Sequence, residues 1–253
     1  MPFALGLHVV IAIFFASHVL RTGQDKYWLM LLFAVPGLGS LVYALVIWLP
    51  EFRRSHSGQM VVRGATKLLD PSKELRAAQE QLDIAATADN RLRLAEALLE
   101  YGRPSEAVVQ YQAALVGVHA GDPGIRVRLA HALVDAGHPQ AAREDLEKLI
   151  VDHPGFKSPE GHLVYARALA ALDERAKARE EFEVLVGYYA GLEARARYAE
   201  ALLAWGDGPR LRDLLAEGGK IARRMPAAAR DINREWLDRI KVVEKQAGAG
   251  HIA

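Results

Sequence analysis

An all-α chain is predicted, with a transmembrane helical hairpin at the front and then a stack of helical pairs closed by one further helix. Three observations predict it. Two runs without a formal charge, Phe3–Leu20 and Tyr27–Leu49, hold almost all of the strongly apolar sequence. A spaced set of alanines, glycines and large apolar residues occurs four times after residue 90. An amphipathic stripe at helical spacing follows the last return.

The first run, FALGLHVVIAIFFASHVL, is eighteen residues long and is interrupted only by His8, Ser17 and His18. As a helix it is roughly 27 Å long at about 1.5 Å per residue, close to the hydrocarbon thickness of a bilayer. The second run has 23 uncharged residues, with Tyr27 and Trp28 at one end and Trp48 at the other, where aromatic rings favour the headgroup level. A secretory leader is the poorer account, because no basic region precedes the first run and no small-residue cleavage site separates the two. Two spans joined by six residues would leave both termini on one side. Arg53, Arg54, Arg63 and Lys67 follow the second span, against Arg21 and Lys26 in the connection. The positive-inside rule therefore places the long remainder in the cytoplasm.

Inside the second run, Trp28, Pro36, Gly39 and Tyr43 stand as W-x7-P-x2-G-x3-Y. The proline frees backbone groups and kinks the helix, and the glycines allow a neighbouring helix to come close. On these residues the stretch from about 5 to 48 resembles the phospholipase D nuclease N-terminal domain, a small bacterial membrane module. The resemblance implies an anchor and no activity. Phospholipase D catalysis uses H-x-K-x4-D, and none of the nine histidines here is followed two residues later by lysine.

A polar, partly basic linker with Ser55, Ser57 and Gly58 follows, and Asp70-Pro71 reads as an N-cap with proline in the first turn. The expected boundaries are 1–50 for the anchor, 51–70 for the linker, 71–246 for the stack and 247–253 for a frayed tail. Within the stack, Leu94-Ala95-x2-Leu98-x3-Gly102-x4-Ala107-x3-Tyr111-x2-Ala114 returns as Leu129, Ala130, Leu133, Gly137, Ala142, Leu146 and Leu149 at the same spacing. It returns again as Tyr165, Ala166, Leu169, Asp173, Ala178, Phe182 and Leu185, and in weaker form as Tyr198, Ala199, Leu202, Gly206, Leu211 and Leu215. The small residue after the first anchor advances by 35, 36 and 33 positions.

Each unit has a physical logic. The alanines at 95, 130, 166 and 199 sit where a first helix approaches its partner, and a larger side chain would separate the axes. Gly102, Gly137 and Gly206 end that helix in the left-handed conformation. The alanines at 107, 142 and 178 let the second helix pack back, and Tyr111, Leu146 and Phe182 fill the space between pairs. One pair cannot bury this face alone, so the units must stack. The pattern resembles the tetratricopeptide repeat (TPR) over about residues 87–218. An incomplete leading unit over 72–88, with Leu75, Ala78, Leu82 and Ala85, and a capping helix over Asp231–Lys245, with Ile232, Trp236, Ile240 and Val243, flank it. Trp236 reads as core in that stripe.

The TPR resemblance implies that the first helices line a groove holding a peptide segment of a protein partner. One position before the first anchor stand Arg93, Arg128, Val164 and Arg197, and Glu96, His131, Arg167 and Glu200 lie on the same face. They are expected to point away from the second helices. Recurring arginines can grip carboxylates or carbonyls with forked donors. The alternative is that Arg93, Arg128 and Arg197 pair with neighbouring acids on a solvated face. The family's carboxylate clamp also uses asparagine and lysine where Glu96, His131 and aliphatic residues stand here, so it does not carry over.

With 32 basic against 31 acidic residues there is no field to attract nucleic acid, and without cysteine there is no disulfide, thiolate metal site or cysteine nucleophile. His131 and His138 have no ligand set around them, and no phosphate loop or nucleophile elbow is present, so neither cofactor nor enzyme activity is expected. The expected protein is a bacterial inner-membrane scaffold, bilayer-anchored with a cytoplasmic TPR stack that docks a protein partner. The alternatives are a periplasm-facing scaffold for envelope assembly and a lipid-related enzyme, for which no nucleophile is found.

Overall fold

The computed structural model describes residues 2–23, 25, 27–34, 38–48, 50 and 72–249. Pro36, the linker at 51–70 and Pro71 lie outside them. Fourteen α-helices and no strand occur among the described residues, which gives the all-α class. The chain divides into two compact units, Met1–Lys73 and Glu74–Ala253.

The first unit contains α1 (Pro2–Thr22), α2 (Tyr27–Ala34) and α3 (Leu38–Tyr43), the last continuing into a π-helical stretch, Ala44–Trp48. The second apolar run, expected as one span kinked at its proline, is described as two short helices. α2 ends at Ala34 and α3 begins at Leu38, and the residues between them lie outside the described ones. α3 then packs back on α2 and α1. Gly39 permits this approach, since a Cβ there would lie 2.1 Å from the Leu31 carbonyl oxygen. Trp28 and Tyr43, both buried, meet edge to face at 5.3 Å, and the Tyr43 hydroxyl hydrogen-bonds His18 Nδ1 at 2.9 Å. Three of the four motif residues thus form one small core with Phe15, Val19 and Leu32. Helices of about 12 and 9 Å are too short for a bilayer, and no described helix is long and apolar enough to cross a membrane. The outer surface is nonetheless oily: Val10, Ile13, Phe14, Leu20, Met30 and Phe33 are each more than half exposed.

The second unit is built of pairs: α5 (Ala88–Glu100) with α6 (Pro104–Ala114), α7 (Pro123–Asp135) with α8 (Pro139–Asp152), α9 (Pro159–Ala171) with α10 (Arg175–Tyr188), and α11 (Glu193–Trp205) with α12 (Gly208–Arg224). α4 (Lys73–Ile84) precedes them, and α13 (Ala227–Ile232) and α14 (Arg234–Ala249) follow. Prolines open α6, α7, α8 and α9, where a missing N–H costs nothing. Thr87, Asp122, Ser158 and Asp207 cap the helices that follow them with their side-chain oxygens. Second helices pack on the next first helix, and α7, α9 and α11 also touch in series.

The repeated residues occupy repeated environments. Ala95, Ala130, Ala166 and Ala199 are at most 1% exposed, and Ala107, Ala142 and Ala178 are fully buried. Each first helix ends in the same way. The N–H of Arg103 donates to the Leu98 carbonyl at 2.8 Å and that of Gly102 to Leu99 at 3.0 Å. The same two bonds recur from His138 and Gly137, from Glu174 and Asp173, and from Asp207 and Gly206. This is the Schellman pattern, which satisfies orphan carbonyls and requires a left-handed residue. Glycine supplies it at 102, 137 and 206, and Asp173 takes it at φ 60°. A second repeated device joins the units, with Arg143 on α8 pairing with Glu174, and Arg179 on α10 pairing with Asp207.

Asp173→Gly is expected to raise stability by roughly 0.5–1 kcal/mol, because relief of left-handed strain outweighs an exposed ion pair with Arg175. Thermal denaturation checks it through a melting temperature higher by about 1–4 °C.

The ends depart from the expectation in three places. Ala85 is exposed, because α4 stops at Ile84 and the Asn90 side chain ties off its last carbonyls at Gln81 and Ala85. Leu75, Ala78 and Leu82 do pack on the first core. Ile232 is 81% exposed, since the helix expected from Asp231 is broken at Asn233, whose Oδ1 accepts from the Leu192 N–H at 2.9 Å. The tail expected from 247 is helical to Ala249, with Ala247 packed against the second core.

Candidate functional site

Helical periodicity places Arg93 and Glu96 on α5, Arg128 and His131 on α7, Arg167 on α9, and Arg197 and Glu200 on α11, all on the row of first helices. They meet as rungs between successive elements. Arg128 donates to Glu96 at 2.9 Å across α7 and α5. Arg167 donates to Asp135 at the end of α7, and His131 lies 3.5 Å from the same carboxylate. Glu200 lies 3.5 Å from both Arg197 and Arg239, the latter on α14. The alternative read from sequence, acids paired to these arginines, is thus realised at 93, 128 and 197. Arg93 does not join the row, since it pairs with Asp89 on its own helix and is 64% exposed.

Among the arginines of the row, exposure is greatest at α7 and small beyond it. The side chain of Arg128 is 47% exposed, that of Arg167 11% and that of Arg197 18%. Val164, at the arginine position of the third unit, is buried. It floors a hollow of about 180 Å³ whose walls include Arg128, His131, Arg167, Tyr189 and Glu193. At the far end Trp236 is half-buried between the guanidinium groups of Arg197 and Arg239, 5.2 and 5.3 Å from its ring. The core reading of Trp236 holds in that it packs beside Leu192, Ala196 and Ile240, and the two arginines add cation–π contacts that the spacing did not show.

The electrostatics follow from this crowding. Burial, then the nearness of Arg167 and Arg239, holds the Arg197 guanidinium below its usual range. Its Nε is buried with no hydrogen-bond acceptor among the described residues. Burial also pushes the Glu193 carboxyl up, against the pull of Arg197 and Arg167. His131 is pushed below its ordinary 6.5 by burial and by the arginines, with Asp135 opposing. A depressed imidazole binds protons more readily unfolded than folded. Its contribution is therefore intact above about pH 6.5 and is lost as the pH falls from there through its lowered folded value. His131→Gln is expected to flatten the fall in stability between pH 7 and 5, read as denaturant midpoints for both proteins. Glu193 has the opposite sign in both and cancels in the difference.

The sequence missed Asp135, Glu193 and Arg239. Asp135 was accessible as the i+4 partner of His131, whereas Arg239 reaches Glu200 by a tertiary turn that has no local signal. Among the described residues no three His, Asp or Glu side chains gather as metal ligands. The arrangement can bind a polar, mixed-charge backbone or side chain. No protein-family model and no curated protein matches the chain.

Proposed function

We propose that the protein is a bacterial inner-membrane scaffold whose second unit is a TPR array docking a segment of a protein partner. One observation carries the reading. A row of ion pairs, half-exposed at Arg128–Glu96 and more deeply set at Arg167 and Arg197, runs across four first helices around a small hollow floored by Val164, on the face that the repeat pattern leaves uncovered by second helices. A peptide can exchange its own carboxylates, carbonyls and amides for these partners. The anchor reading rests on the apolar surface of α1–α3, where Val10, Ile13, Phe14, Leu20, Met30 and Phe33 are each more than half exposed. The basic residues after position 50 favour a cytoplasmic array.

Crosslinking and mass spectrometry on detergent extracts of cells are expected to place a protein partner on α7, α9 and α11. Arg128→Glu is expected to weaken its recovery about tenfold, or ~1.4 kcal/mol. Adding Glu96→Arg restores the internal pair but not the partner, which separates docking from folding. Crosslinks confined to other faces, or rescue by the swapped pair, would end the reading. For the anchor, release of the chain from membranes by alkaline carbonate would do the same.

A further inference from the structure

Between α11, α12 and α14, away from the first-helix row, lies a second cavity of about 920 Å³, within the range of small-molecule sites. Its floor is apolar, formed by Leu202, Leu203, Leu211 and Leu215. One rim is cationic: Arg212, Lys220 and Arg223 stand exposed on α12. At 100° per residue Arg212 and Arg223 lie within about 20° of each other and Lys220 within about 80°, all along one edge of the leucine strip. None of the three enters an ion pair or side-chain hydrogen bond among the described residues. This contrasts with Arg210 on the same helix, held by Glu183 and Glu217, and with Arg126, Arg128, Arg143, Arg167 and Arg179, each paired to an acid. A single carboxylate, Glu244, lies across the cavity.

Three unneutralised cations beside an apolar trough are complemented by an anion that carries an apolar tail. A bare anion gains nothing from the leucines, and a neutral chain gains nothing from the arginines, whose forked donors suit a carboxylate. The geometry points to a binding site for a long-chain carboxylate, its tail along Leu211 and Leu215 and its head at Arg212, Arg223 and Lys220. The site shares no residue with the first-helix row and stands whether or not that row docks a partner.

The test is photo-crosslinking of the full chain in nonionic detergent, with a long-chain carboxylic acid bearing a diazirine in its tail, followed by peptide mapping. Labelled peptides from α12 and α14 are expected, displaced by oleate and not by oleyl alcohol or inorganic phosphate. The triple variant Arg212→Gln, Lys220→Gln, Arg223→Gln is expected to lose at least nine-tenths of that labelling with its thermal melt unchanged. Ala216→Trp, which puts bulk into the cavity while keeping all three charges, is expected to do the same. Labelling of these peptides that survives either folded variant overturns the proposal. So does displacement by oleyl alcohol as strong as by oleate, displacement by phosphate alone, or displacement by an acidic peptide with oleate ineffective.

Discussion

Replacing Phe182 by alanine is expected to destabilise the second unit by about 3–5 kcal/mol. The ring is 1% exposed on α10 and stacks on Tyr198 of α11 at 5.0 Å and an interplanar angle of 9°. It lies in one cluster with Leu169, Ala178, Leu185, Ala199 and Leu202. The hole left behind cannot collapse easily, because the alanines around it already hold the helices at close approach. In a stack, stability is a sum over neighbours, so the loss falls on the seam between the third and fourth pairs. Hydrogen exchange on the variant is expected to show α11, α12 and α14 opening before α5–α8. Phe182→Leu, which keeps most of the volume, is expected to cost less than half as much. An alanine variant losing under 1 kcal/mol in denaturant titration would show that this seam carries little of the unit's stability.

Asp145→Ala is expected to cost about 2–3 kcal/mol, more than replacing the arginine it holds. Arg126 has a side chain only 8% exposed. It donates to Asp145 Oδ1 from Nε at 3.1 Å and from Nη2 at 2.9 Å, to the Asp145 carbonyl at 2.8 Å, and to Asp152 Oδ2 at 2.9 Å. Burial alone would lower its guanidinium, but the hydrogen bonds to Asp145 and Asp152 outweigh that and hold it above its ordinary range. Losing Asp145 leaves a buried cation short of acceptors. Losing the cation in Arg126→Met leaves two carboxylates, of which Asp152 is 39% exposed and can hydrate while Asp145 keeps one oxygen buried, so that change is expected to cost less, about 1–2 kcal/mol. Equal costs in urea titrations of the two variants would contradict this asymmetry.

The contrast between Arg126 and Arg128 shows where the sequence stopped being readable. Two residues apart on α7, they lie about 200° apart around the axis, one clasped by α8 and the other on the first-helix row. The repeat register identified Arg128 but gave no sign that its neighbour was buried. Alanine and glycine positions were legible because their reason is steric and local: helix contact at Ala95 and Ala130, left-handed backbone at Gly102 and Gly137. The same logic found the glycine that brings α3 onto α2. It expected a kink within one span and did not foresee two short helices, because a lone proline does not say how far α3 folds back on α2. Trp236 was read as core on spacing alone, and its arginine neighbours come from α11 and α14 together, a meeting that only the tertiary fold creates.

The recurrent helix end after Gly102, Gly137, Asp173 and Gly206 has a consequence for how such a chain can change in length. Every joint is made from the same two backbone bonds at nearly constant intervals. A whole period can therefore be duplicated or excised while each surviving joint meets the surface it met before, so the array can gain or lose reach without a new fold.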